Sequence, residues 1–296
     1  HRPTVAAITG VEADHLDVYG TLDAVVESFH DFAKLIPDAE SGGTLIIGHE
    51  GAHRREITAG LECAVETLGF SPSADWRVTF DAPRRLVGLA HGGETVAEWT
   101  NPSPGDHMAL NSAFAAALAI TLGADAETVA GALSDFPGVD RRMQFLGEKR
   151  VASGTVRVYD DYGHHPTEID TTLRAIREEA FASGENGRLI CVFQPHQHSR
   201  TRFLLDEFAR SFAHADVVIV PHIYFVRDSE QEKARVSSAD LVDRLRAQGV
   251  HAMHLYPFEA IVEQLQNVCR DGDVLVVMGA GPVWKVAQGF IESGEG

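Results

Sequence analysis

From Asp160 to Glu168 the chain reads Asp-Asp-Tyr-Gly-His-His-Pro-Thr-Glu. Carboxylates, a phenol and two imidazoles packed this closely can accept hydrogen bonds, orient an anion's counter-charges and move protons near neutral pH. The stretch lies between an extended run, Thr155–Tyr159, and a helical pattern set by Ile169, Leu173 and Ile176. A strand end that feeds a helix start is where open α/β sheets bind ligands, because the first helical N–H groups have no partner inside the helix. Pro166 suits that first turn, where its missing N–H would have been unpaired. A polar loop with an ordinary helix cap would occupy the same place. Paired histidines beside paired acids favour chemistry over capping alone.

Other strand ends carry similar residues. After the apolar run Leu189–Phe193 come Gln194-Pro195-His196-Gln197-His198-Ser199-Arg200-Thr201-Arg202. After Val217–Val220 come Pro221-His222-Ile223-Tyr224, then Arg227-Asp228-Ser229. After Val274–Val277 come Met278-Gly279-Ala280-Gly281, which fits a phosphate-cradling turn or a tight strand–helix packing equally well. All of these belong to the carboxyl edge of one expected sheet, so they should converge in space. Upstream, Glu12, Asp14, His15 and Asp17 follow the strand-like Val5–Gly10. They suit either a divalent-cation site or a solvated loop that caps the next helix. His107 and Asn111 lie one helical turn apart and face the same way. An amide there can read a base edge, or the pair can satisfy local backbone groups. Arg141 and Arg142 sit in Pro137–Gly147, where composition shifts. They could clamp a phosphoryl group or form a surface charge pair.

The positioning elements follow from periodicity. Strands are expected at Val5–Gly10 and Thr44–Gly48, and helices at Thr21–Ile36 and Glu56–Gly69. Asp75–Trp99 alternates around Gly92-Gly93 and reads as a hairpin, before helices near His107–Leu122 and Asp125–Phe136. The second half repeats strand and helix: strands at Thr155–Tyr159, Leu189–Phe193, Val217–Val220, Ala252–Leu255 and Val274–Val277, with helices near Pro166–Ala182, Thr201–Ala213, Ser238–Gln248, Phe258–Cys269 and Val283–Glu292. Short Val/Ile/Leu strands with crossover helices predict a doubly wound, mostly parallel sheet. The whole is an α/β chain of two domains, residues 1–147 and 148–296, with Gly138–Gly147 as the connection.

Bulk composition limits the partners. A net charge of −18 argues against nucleic acid or an anionic membrane. Any phosphate must be held by local cations and backbone N–H groups. No apolar run is long enough to span a bilayer, and no secretion signal is visible. Cys63, Cys191 and Cys269 have neither metal-ligand nor disulfide spacing, which fits a reducing cytoplasm. No Gly-x-x-x-x-Gly-Lys-Ser/Thr occurs in the chain.

Taken together, Ile8–His15, His107–Asn111, Arg141–Gly147, Asp160–Glu168 and Phe193–His196 with Arg200–Arg202 resemble, in order, blocks of the Mur ligase family, the ATP-dependent amide-forming enzymes of peptidoglycan assembly. Met278–Gly281 adds a weaker block. The resemblance implies the later part of a P-loop-type central ATP-binding domain followed by a Rossmann-like C-terminal domain. It further implies a longer protein whose N-terminal part, with the UDP-binding domain and the P-loop, lies outside this chain. ATP and Mg²⁺ would be the cofactors, with UDP-N-acetylmuramate and L-alanine joined through an acyl phosphate. Carried over residue by residue, His15 would bind Mg²⁺ with Glu12 and Asp14 nearby. Asn111, with His107 a turn before it, would hold adenine, and Met108 stands where the family often has asparagine. Arg142 would touch the γ-phosphate, and Asp161, Tyr162 and His164 would close over ATP. His196, Arg200 and Arg202 would face the muramyl substrate or the amino acid, with Gln197 and His198 where the family usually has arginine and tyrosine. Two alternatives stand beside this: a ligase that recycles a murein tripeptide, and a non-catalytic nucleotide- or partner-binding module. These 296 residues alone are expected to show no ligase or ATPase turnover.

Overall fold

The computed structural model describes residues 2–182, 184 and 186–294. They divide into two compact units, His1–Pro137 and Gly138–Gly296, so the division falls ahead of the boundary drawn at Gly147 from sequence.

The first unit holds β1 (Val5–Ile8), α1 (Leu16–Tyr19), α2 (Leu22–Ala33), β2 (Thr44–Gly48), α3 (Arg54–Thr58), β3 (Ala64–Gly69), β4 (Trp76–Asp81), β5 (Leu86–His91), β6 (Glu94–Thr100), α4 (Asp106–Thr121) and α5 (Ala126–Ser134). Its strands lie in chain order, with β1 to β4 parallel and β4 to β6 antiparallel. Thr21 starts α2 by accepting the Ala24 N–H. The apolar stripe of α2 covers one face of the sheet together with Ile57 of α3. On the other face α4 presents Ala109, Ala113, Ala116 and Ala117, whose small side chains let it lie close to Trp76, Leu89 and Trp99.

The second unit holds β7 (Gln144–Val151), β8 (Gly154–Asp161), α6 (Pro166–Ala180), β9 (Leu189–Phe193), α7 (His198–Phe203), α8 (Leu205–Arg210), β10 (Val217–Val220), α9 (Glu230–Lys233), α10 (Ser238–Ala247), β11 (His251–His254), α11 (Phe258–Val268), β12 (Val274–Met278) and α12 (Trp284–Glu292). Strand order is β11-β10-β9-β12-β8-β7, parallel except for the edge strand β7. β9, β10 and β12 are buried at every residue, as strands covered on both faces must be. Helices α11 and α12 pack one face around Ile261, Leu265 and Phe290. Phe208 of α8 and Phe212 meet Phe193 from β9 at ring distances of 5.6 and 5.2 Å.

Three elements differ from the sequence pattern. Glu56–Gly69 is not one helix: α3 ends within a turn, Gly60 reverses the chain at φ 69°, and Ala64–Gly69 becomes β3 between β2 and β4. The apolar spacing there suited a helix, and strand pairing overrode it. Gln144–Gly147, read as the end of the connection, is the start of β7 (Gln144–Val151), which pairs with β8. The helix expected at Thr201–Ala213 starts earlier, at His198, and is interrupted at Leu204. Among the described residues no helix is long and apolar enough to cross a membrane. Cys63, Cys191 and Cys269 are free and buried.

Candidate functional site

The parallel strands β8, β9, β10 and β12 all end at one edge, and that edge gathers the polar residues. Ring centroids of His164 and His196 are 6.1 Å apart, and those of His196 and Tyr224 are 5.5 Å apart. Gln194 donates from Nε2 to the His222 carbonyl at 3.1 Å, while its Oε1 is buried without a hydrogen-bond partner. Gly279 lines the same edge at φ 145°, and a Cβ there would come within 2.8 Å of the Gln194 carbonyl oxygen, so only glycine fits.

Arg141 and Arg142 are adjacent yet do different things. Arg141 has a left-handed backbone at φ 61°, and Met143 another at φ 46°. Hydrogen bonds fix the Arg141 turn from both sides: the Tyr162 N–H donates to the Arg141 carbonyl at 2.6 Å, and the Arg141 N–H donates to Gln144 Oε1 at 2.8 Å. The Arg141 side chain turns inward to Asp160 (3.2 Å) and to the carbonyls of Gly279 (2.5 Å) and Gly281 (3.3 Å). It therefore ties β8 to the turn after β12. Arg142 turns the other way, with a side chain 46% exposed, and meets Glu168 at 3.7 Å. Both guanidinium groups lie over the Tyr162 ring, at 5.1 and 5.3 Å from its centroid.

The two acids of the loop are buried. Asp161 accepts the Met143 N–H at 2.8 Å and the Gly163 N–H at 2.7 Å. Burial outweighs those bonds and pushes its carboxyl up to about 6. Burial also raises Asp160, against the pull of Arg141, and leaves Asp160 Oδ1 without a partner. Gly163 is required beside them, because a Cβ would sit 2.8 Å from Asp161 Oδ1 and 3.2 Å from Met278 Sδ. Asp161, expected to close over ATP, thus holds the loop's backbone together.

Glu168 is the residue that sequence reasoning named without a role. Its Oε2 accepts the N–H groups of His164 (2.8 Å) and His165 (3.1 Å), and it lies 3.4 Å from His164 Nδ1. With the His165 side chain it forms a capping box at the start of α6. The spacing of His165 and Glu168 was the available signal. One carboxylate thus caps the helix, orients His164 and faces Arg142.

Of the three substrate-side candidates, two stay at the edge. Arg200 is buried, with Nη1 3.4 Å from His196 Nδ1. Arg202 is drawn away: it makes two bonds to Glu232, at 2.7 and 3.2 Å, and stacks over Phe203. It anchors α7 to α9 and does not join the His196 group. His198 is buried against Asp228, whose carboxylate accepts the His198 and Ser199 N–H groups, and burial lowers its imidazole.

The first unit presents its candidates singly. His15 is exposed, left-handed at φ 53°, and bonded to its neighbour: its N–H donates to Asp14 Oδ1 at 2.8 Å, and its Nε2 lies 3.4 Å from Asp14 Oδ2. Glu12 is exposed beside them, and no group of three or more His, Cys, Asp or Glu among the described residues could hold a metal. Asn111 is exposed on α4, a turn beyond the half-buried His107.

Comparison with known proteins agrees with this layout. Residues 1–119 match the Mur ligase middle domain, and residues 141–281 match the Mur ligase glutamate ligase domain. The chain belongs to the Mur ligase family. It is 34% identical over 294 residues to the UDP-N-acetylmuramate–L-alanine ligase of Caldanaerobacter subterraneus subsp. tengcongensis, covering 98% of this chain and 61% of that protein. The solved UDP-N-acetylmuramate–alanine ligase of Thermotoga maritima superposes with a TM-score of 0.71 at 23% identity, over 98% of this chain and 59% of the other. MurF from Thermotoga maritima, solved with ADP, gives 0.70 at 16% identity over 98% of this chain and 62% of the other. The two structures show the shared fold. The chain spans about 61% of the length of the first relative it matches.

As part of a Mur ligase, the second unit has groups that suit a phosphate-bearing ligand: an outward arginine, two imidazoles and a glycine-lined turn at one sheet edge. In the first unit, Asp14 and His15 offer two donors side by side. That is enough for Mg²⁺, which is commonly held by few protein groups and completed by phosphate oxygens and water.

Proposed function

We infer that the chain is the ATP-handling and C-terminal part of an ATP-dependent ligase that joins L-alanine to UDP-N-acetylmuramate in the cytoplasm. The observation that carries the reading is the second unit's sheet edge, where Arg142 faces outward while its neighbour Arg141 is locked inward. The likeness to ligases of that name over nearly the whole chain supports the choice of substrates. The free, buried cysteines are compatible with a reducing compartment.

ATP with Mg²⁺ would supply the phosphoryl group that activates the muramyl carboxylate towards the amine. The chain's part is positional and electrostatic, which is the main demand of phosphoryl transfer. Arg142 places a planar cation for phosphoryl oxygens, and Glu168 keeps that cation in place until an anion of higher charge competes for it. His164, fixed by Glu168 and the Tyr162 carbonyl, stands beside His196 and can hold or pass a proton at its ring. Arg200 places its guanidinium 3.4 Å from His196 and holds that ring at the edge. Asp14 and His15 would hold the metal, and Asn111 would bind adenine from α4.

The test is substrate-dependent ADP release by the complete gene product. Release that requires both L-alanine and UDP-N-acetylmuramate supports the reading. Release that requires a murein tripeptide in place of alanine moves the protein to the recycling ligases, and release with neither overturns the assignment.

A further inference from the structure

The first unit contains a cationic cavity that the ligase reading does not use. β2 ends at Gly48 and is followed by His49-Glu50-Gly51-Ala52-His53-Arg54-Arg55. A cavity of about 320 Å³ opens there, lined by His49, Gly51, Ala52, His53, Arg54, Arg55 and Glu56. A smaller void behind it is bordered by Gly10, Val11, Gly48 and again Arg54. Arg54 lines both spaces, as do Gly51 and Ala52, and its Nη1 is buried with no hydrogen-bond partner.

A guanidinium nitrogen removed from water without an acceptor is costly, and an oxyanion in the adjoining space would relieve it. The nearby acids do not. Glu50 is turned away, with Oε1 accepting the Ser71 N–H at 2.8 Å. Glu56 is 62% exposed and lies 3.5 Å from His53 Nδ1, leaving the guanidinium uncompensated. His49 is held in place by Thr67 Oγ1 and Ser73 Oγ, each 3.1 Å from a ring nitrogen. In a chain with a net charge of −18, a half-buried arginine whose Nη1 has no acceptor, with a second arginine beside it, is a local excess of positive charge.

We propose that this cavity is a binding site for a phosphate oxyanion, with Arg54 as its anchor and His53 and Arg55 completing the charge. Arginine suits a phosphate because its fork can bond two oxygens at once. The volume exceeds that of a bare phosphate, so the group can belong to free inorganic phosphate or to a nucleoside diphosphate. The site shares no residue with those assigned to the ligase reaction and needs no turnover to be detected.

The experiment is calorimetric titration of the 296-residue chain with inorganic phosphate and, separately, with ADP, at fixed ionic strength so that general screening is constant. At least one of the two should bind with a single-site isotherm. Arg54→Gln should weaken that binding at least tenfold, Arg54→Lys and Arg55→Gln by less, and Arg84→Gln, whose side chain is 78% exposed beside Asp81, not at all. Circular dichroism of each variant checks the fold, and Arg54→Lys keeps the comparison valid if the glutamine variant unfolds. A response to phosphate alone assigns the site to the free ion, and a response to ADP alone to a nucleotide. The proposal is overturned if neither anion binds, if binding survives Arg54→Gln unchanged, or if Arg142→Gln abolishes it instead.

Discussion

The loop that leaves β8 and the turn that leaves β1 occupy equivalent places, each at the carboxyl end of a parallel strand, and they are built in opposite ways. The β8 loop is wired from within. Asp160 and Asp161 bind groups of the segment before β7, Glu168 binds the N–H groups of its own loop, and Arg141 crosses to the turn after β12. In the β1 turn His15 is exposed and is bonded to its chain neighbour Asp14. The contrast separates two ways of presenting charge. A site that must place a cation against a transferring group benefits from a rigid frame. A site that only lends donors to a hydrated metal can remain open.

That contrast can be broken by substitution, and the largest effect should come from Arg141→Ala. It removes the partner of buried Asp160 and two carbonyl contacts, and breaking a buried pair in this way costs about 3 kcal/mol. Urea denaturation should show that loss in the transition of the second unit. A change below ~1 kcal/mol would mean that the inward arginine does not hold the loop.

Asp161→Asn comes next and carries a pH signature. A carboxyl at about 6 in the folded chain, against about 3.9 unfolded, binds its proton more tightly when folded. Its contribution therefore favours folding most at low pH, fades as pH rises from about 4 to 6, and is lost above that, up to about 3 kcal/mol in all. The asparagine variant lacks this term. The stability of the parent relative to the variant should fall across that window, and a difference flat in pH would show that Asp161 titrates normally.

Glu168→Ala should cost about 1 kcal/mol through the lost cap of α6, read from the same denaturation curves. His15→Ala should change stability by less than ~0.5 kcal/mol, because the residue is exposed and bonded only locally. In the complete gene product it should raise the Mg²⁺ concentration needed for half-maximal activity, and an unchanged requirement removes His15 from the metal site.

The sequence made the second unit's sheet legible because its strands are short, β-branched and separated by amphipathic helices. Pro166 at the start of α6 was readable because it depends only on neighbours in the chain. What depended on distant partners was not readable. β3 was taken for helix because its pairing with β2 and β4 leaves no trace in local spacing. Arg202 looked like a ligand-facing cation until Glu232, from α9, claimed it. Arg141 and Arg142 cannot be told apart by type. The left-handed turn at Arg141, held by Tyr162 and Gln144, is what sends one side chain inward and the other out.

The central claim is that Arg142 is the cation the second unit offers to a phosphoryl group, and its most direct test is alanine-dependent ADP release by the complete gene product carrying Arg142→Ala. Loss of one such charge stabiliser should lower kcat/KM by about 10²-fold or more with the melting temperature nearly unchanged. A variant that turns over at the parental rate would contradict the account.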